Sequence, residues 1–135
     1  MRVLLVDDDP DFIELVGKMA PPSIEIVGAE SSRVAISTLG NSPREAFDMA
    51  IVDLQMEPFL DNLGSREGLA LAHWFRQHRR TTPLLLVSSI DEPTGRALAI
   101  ESEAIGFIRK PIDLSCLYRF LESYAEMFHH TGRET

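Results

Sequence analysis

Val3-Leu4-Leu5-Val6-Asp7-Asp8-Asp9-Pro10 reads as a buried strand, a knot of carboxylates and the start of a helix in immediate succession. The run 3–6 has no polar alternation, which marks a strand covered on both faces. Asp9-Pro10 is a helix start. The acid caps free N–H groups, and proline suits the first helical position, where its missing N–H is no loss. Phe12, Leu15, Val16 and Met19 follow at helical spacing on one face, and Pro21-Pro22 stops the helix.

The same unit recurs outward along the chain. The β-branched run 24–27 ends at Gly28, and the apolar run 49–52 stops at Asp53. The run 84–87 follows Pro83 and stops at Ser88, and Phe107-Ile108 follows Gly106 and stops at Lys110-Pro111. Between these runs lie helical patterns over 32–39, closed by Gly40-Asn41, over 68–78, with Leu71, Ala72 and Phe75 on one side, and over 93–103. Asp113 can cap a fifth helix with an apolar stripe of Leu114, Leu117, Tyr118, Leu121, Ala125 and Phe128. Five β-α units predict an α/β fold: a doubly wound, five-stranded parallel sheet with five helices on both faces. The 135 residues fit one domain over 1–128, with a frayed tail over 129–135.

Charge narrows the function. Thirteen Lys and Arg against twenty-one Asp and Glu give −8 at pH 7. A nucleic-acid or anionic-membrane surface needs a basic face, so neither partner is expected. One cysteine, Cys116, excludes an internal disulfide. No apolar run reaches the roughly 20 residues of a membrane span. The first run is too short for a signal peptide and is followed by acids, so a cytoplasmic location is expected.

In an open α/β sheet, ligands gather outside the carboxyl ends of the strands. The residues that stop the strands are therefore the candidate site: Asp7, Asp8 and Asp9, Asp53, Ser88 and Ser89, and Lys110. Strands one and three should be neighbours, about 4.8 Å apart, so their carboxylates crowd together. A hard divalent cation such as Mg²⁺ relieves that repulsion. A lysine and a serine hydroxyl complete a set suited to stabilising a transferring phosphoryl group. Carboxylates are known phosphoryl acceptors, and Asp53, alone on the central strand, is the expected one. Asp9 precedes Pro10, and capping is its expected job.

With these pieces in view, the chain resembles the bacterial two-component response-regulator receiver domains, the chemotaxis regulators among them. The matching pieces are Val6-Asp7-Asp8, Val52-Asp53-Leu54-Gln55-Met56, Val87-Ser88-Ser89 and Gly106-Phe107-Ile108-Arg109-Lys110-Pro111, in the family's order and near its spacing. The resemblance implies a flavodoxin-like strand order 2-1-3-4-5 and Mg²⁺-dependent phosphorylation of Asp53. It implies Asp8 as a direct metal ligand, Asp7 as one acting mostly through water, and the backbone carbonyl of Gln55 as a third. Ser88 becomes the switch hydroxyl, Ser89 the small residue that leaves the phosphoryl room, Lys110 the phosphate's partner in a cis Lys110-Pro111 bond, and Phe107 the switch aromatic. The implied donor is a histidine kinase or phosphotransfer protein. The output partner, or a second copy, would meet the face of helix 4, strand 5 and helix 5, where Cys116, Phe120 and Met127 form a second apolar face. Such a domain is no enzyme beyond its own phosphoryl transfer and dephosphorylation.

The chain departs from the pattern after Met56. Glu57-Pro58 and the stretch 59–67 make the loop before Gly68 longer than the family's. A lid over the phosphoryl group, or a reshaped kinase surface, would follow, with Glu57 adding negative charge near the metal. Simpler readings stand beside these. Asp7–Asp9 can be a solvated acidic edge, Phe107 can be plain core, and His129-His130, His73 and Trp74 carry no readable function. Two alternatives compete for the whole chain. One is a receiver-like interaction module that is never phosphorylated. The other is an aspartate-nucleophile phosphatase of the haloacid-dehalogenase type, for which Asp7 and Asp9 have the spacing but Asp11 is the wrong residue. No output domain follows the fifth helix, so the chain reads as a single-domain regulator or as the receiver part of a longer one.

Overall fold

The computed structural model describes residues 1–43, 46–55 and 67–133, with the backbone alone for Glu67 and 128–133. The long-loop expectation at 57–66 therefore lies outside the described residues. Strands β1 (Arg2–Val6), β2 (Glu25–Ala29), β3 (Met49–Asp53), β4 (Leu84–Ser88) and β5 (Gly106–Arg109) alternate with helices α1 (Pro10–Met19), α2 (Ser32–Gly40), α3 (Glu67–His78), α4 (Glu92–Glu101) and α5 (Leu114–Arg133). The strands are parallel in the order β2-β1-β3-β4-β5, the flavodoxin-like order expected.

Strand alternation sorts the apolar side chains into two cores. Leu4, Val6, Ala50, Val52, Leu84 and Leu86 face one way and pack with Leu39 of α2, Leu71 and Phe75 of α3 and Ala99 of α4. Val3, Leu5, Met49, Ile51, Leu85 and Val87 face the other way, toward Val16 of α1 and Leu117, Tyr118 and Leu121 of α5. The continuous apolar runs are thus the signature of a sheet covered on both faces. The Tyr118 hydroxyl donates to the Val16 carbonyl over 2.6 Å and ties α5 to α1.

Caps set the helix starts. Asp9 accepts from the N–H groups of Asp11 and Phe12 at the head of α1. Asp91 accepts from Thr94 N–H at 3.1 Å, so α4 begins at Glu92 rather than at Pro93. Asp113 accepts from Cys116 N–H at 3.2 Å and caps α5 as expected. The core face of α1 differs from the expected one. Leu15 is 49% and Met19 61% exposed, while Ile13 joins Phe12 and Val16 against the sheet. Leu15 and Met19 lie one step around the helix from that contact line. The backbone of α5 is helical from Leu114 through Arg133. Among the described residues, no helix is long and apolar enough to cross a membrane.

Candidate phosphoryl-acceptor and metal site

Register brings the strand-end carboxylates together. Val6 pairs with Val52 across β1 and β3, so Asp7 and Asp53 leave the sheet side by side. Asp7, Asp8 and Asp53 each offer a carboxylate oxygen within 4.8 Å of the others. Asp7 is 1% and Asp53 5% exposed, and Asp8 is half-buried. Three carboxylates at that spacing are costly without positive charge.

Lys110 supplies part of it. Its backbone N–H donates to the Ser88 carbonyl at 2.8 Å, which anchors it beside β4. Its stem then reaches over β4. The ammonium donates to Asp7 Oδ2 at 2.8 Å and to Asp53 Oδ2 at 3.0 Å. Each carboxylate also has a backbone donor on its other oxygen: Asp9 N–H on Asp7 Oδ1 at 2.9 Å, and Gln55 N–H on Asp53 Oδ1 at 2.8 Å. Burial pushes the Asp7 carboxyl above its ordinary value, and the Asp53 charge adds to that push. The Lys110 ammonium and the Asp9 N–H pull it part of the way back. Burial lowers Lys110, but the hydrogen bonds and charges of Asp7 and Asp53 outweigh it and hold the ammonium above its usual range. The Lys110 shift describes a lysine held in its charged form by the two carboxylates.

The three carboxylates form a pocket of hard oxygen donors. That donor set fits a divalent cation of the oxygen-preferring kind. Asp9 stays outside the cluster as the cap of α1.

The remaining expected residues surround this centre. Ser88 is fully buried, and its hydroxyl oxygen accepts from Ile90 N–H at 3.2 Å. Phe107 packs against the core on the α4 side, where a Cβ at Gly95 would collide with its ring tip. The glycine makes the seat for the ring. The Lys110-Pro111 peptide is cis.

Three contributions escape the sequence. The Gln55 side-chain oxygen accepts from Ser89 N–H at 2.8 Å and from the Ser89 hydroxyl, joining the ends of β3 and β4. Phe12, read only as core, places its ring 4.9 Å from the Lys110 ammonium. Gly68 lies so close to β3 that a Cβ there would collide with the Asp53 carbonyl oxygen. The one signal for Gly68 was a glycine at a helix start, a position of low helix propensity.

Known proteins place this chain in a family. Residues 3–122 match the response regulator receiver domain family. The transcriptional regulatory protein GlrR of Escherichia coli is 26% identical over 126 residues, covering 93% of this chain and 26% of that protein. The response regulator protein PilR of Pseudomonas aeruginosa is 28% identical over 120 residues, covering 86% of this chain and 24% of that protein. The chain thus spans about a quarter of the length of these curated relatives. The receiver domain of the Francisella response regulator 1452 superposes with a TM-score of 0.78 at 20% identity, covering 94% of this chain and 98% of that one. That likeness shows the fold, and the family match over most of the sequence shows the membership: the chain is a receiver domain of the two-component response regulators.

Proposed function

We propose that Asp53 accepts a phosphoryl group in a Mg²⁺-dependent reaction and that its phosphorylation switches a protein-interaction surface. The observation that carries this reading is the Lys110 ammonium held between Asp7 and Asp53, at 2.8 and 3.0 Å. It puts fixed positive charge where phosphoryl oxygens would gather around Asp53. An Asp53 carboxylate oxygen attacks phosphorus. The new O–P bond forms as the bond to the donor's leaving group breaks, and the leaving group departs with the electron pair. Hydrolysis returns the carboxylate and inorganic phosphate.

Asp8 and Asp53 would hold the cation directly, with the Gln55 backbone carbonyl. Asp7 would act mostly through water. When bound, Mg²⁺ supplies charge neutralisation among the carboxylates and on the incoming phosphoryl group. Ser88 uses its oxygen to accept from Ile90 N–H and keeps its own proton to donate to a phosphoryl oxygen. A shift of Ser88 biases α4 and the Phe107 ring toward the partner-binding form, by no more than the difference in interaction free energy between the two forms.

The donor is a histidine kinase or a histidine phosphotransfer protein. The output face is that of α4, β5 and α5, where Ile105, Phe120 and Met127 are exposed. The domain works in the cytoplasm and turns over no substrate besides its own acyl phosphate. At −8 it contacts neither nucleic acid nor membrane itself.

Beryllofluoride, which mimics a carboxylate-bound phosphoryl group, tests the reading. With Mg²⁺ it is expected to shift the amide NMR signals around Asp53, Ser88, Lys110 and the α4-β5-α5 face. Chelation of Mg²⁺, or Asp53→Asn, is expected to abolish the shifts. A wild-type spectrum unchanged by beryllofluoride and Mg²⁺ would favour an interaction module that is never phosphorylated.

A further inference from the structure

Lys110 directly follows the edge strand β5, yet its ammonium serves Asp53 at the end of β3 and Asp7 just beyond β1. Its stem therefore leans from the sheet edge toward the centre, where the two carboxylates meet it. A lysine stem has many rotamers, and holding one of them costs side-chain entropy. Two of the forces that hold it come from carboxylates whose charge changes during the proposed reaction. Asp53 loses its free carboxylate on phosphorylation, and Asp7 is shared once a cation is present.

A third contact does not depend on that charge. The Phe12 ring centroid is 4.9 Å from the ammonium, within the range of a cation–π attraction. The ring is held at both ends. Phe12 N–H donates to the capping carboxylate of Asp9 at 3.3 Å, which fixes it in the first turn of α1. Its side chain packs half-buried against the core beneath α1. Asp9, Phe12, Ser89, Lys110, Pro111 and Ile112 together line a cleft that opens beside Asp53's lysine.

We propose that Phe12 is a positioning residue for phosphoryl transfer: its ring face holds the Lys110 ammonium in place over Asp53. The proposal rests on the reading of Asp53 as the acceptor. It requires the π-face itself, so ring electronics, not merely bulk, should set the rate.

The test replaces Phe12 by phenylalanines bearing one, two and three fluorines, which keep the shape and weaken the π-face stepwise. Phe12→Leu and Phe12→Trp extend the series. Rates of Asp53 labelling by acetyl phosphate at saturating Mg²⁺ are measured by intact mass. Labelling should slow with each fluorine, reaching roughly three- to tenfold for Phe12→Leu, with Phe12→Trp near wild type. In the unphosphorylated proteins, the NMR signals of the Lys110 side chain should lose their ring-current displacement and their order along the same series. Equal labelling rates across the fluorinated set would overturn the proposal, as would a Lys110 side chain just as ordered in Phe12→Leu. A wild-type protein that takes no label would instead sink the reading of Asp53. The Lys110 signals would then still decide whether the ring holds the ammonium.

Discussion

Lys110→Ala is expected to slow phosphorylation of Asp53 on the order of a hundredfold, the typical cost of deleting one preorganised donor to a developing oxyanion. The same change should weaken the cation-free fold. Asp7 and Asp53 are almost wholly buried, and among the described residues Lys110 is the cation bonded to both. Removing one partner of a buried charge network leaves uncompensated charge and costs about 3 kcal/mol. Urea unfolding in chelator should show that loss. Mg²⁺ should restore a larger share of stability to the variant than it adds to the wild type, because a divalent cation between the carboxylates replaces the missing charge. Equal Mg²⁺ stabilisation of both proteins would mean that the lysine and the cation do not serve the same carboxylates.

Gly68→Ala is the second large effect. The added Cβ would collide with the Asp53 carbonyl oxygen and stand 2.6 Å from Leu54 Cα and 2.9 Å from the Asp53 carbonyl carbon. All three atoms are backbone, at the end of the central strand, and cannot rotate away. Either α3 withdraws or the strand end moves. Overpacking of this kind costs about 3 kcal/mol, or on the order of 10 °C in Tm for a domain of this size. The usual gain in helix propensity from glycine to alanine is about 1 kcal/mol and does not offset it. Gly95→Ala makes a useful contrast, since there the colliding atoms are the Phe107 ring tip, which can turn aside. A Gly68→Ala protein as stable as wild type would mean that α3 does not press on β3 at this point.

These two residues show what the sequence reveals and what it hides. Asp7, Asp53 and Ser88 could be found because each is the polar residue that ends an apolar run, and Lys110 because it follows Arg109 at the end of the last one. A parallel sheet carries all its strand ends to one edge. The register, with Val6 opposite Val52, then makes neighbours of residues 46 positions apart. Strand order and the two-sided burial follow from the same runs. Gly68 and Phe12 were hidden for a different reason. Their roles depend on how closely a helix approaches a strand end and on which way a lysine stem leans, and neither leaves a period in the sequence. Leu15 and Met19 were misplaced because a four-residue apolar repeat fits two adjacent helical faces, and only the contact with the sheet chooses between them. The Gln55 side chain on Ser89 belongs with these. Its backbone was expected at the site, but a side-chain bond between two strand ends is set by three-dimensional reach alone.

The most direct test of the central claim is intact-protein and peptide mass spectrometry after incubation with acetyl phosphate and Mg²⁺, with Asp53→Asn alongside. The account predicts a gain of one phosphoryl group on the wild type, mapped to the peptide containing Asp53 and lost when the cation is chelated, with no gain on the variant. A phosphoryl adduct of equal yield on Asp53→Asn would contradict it.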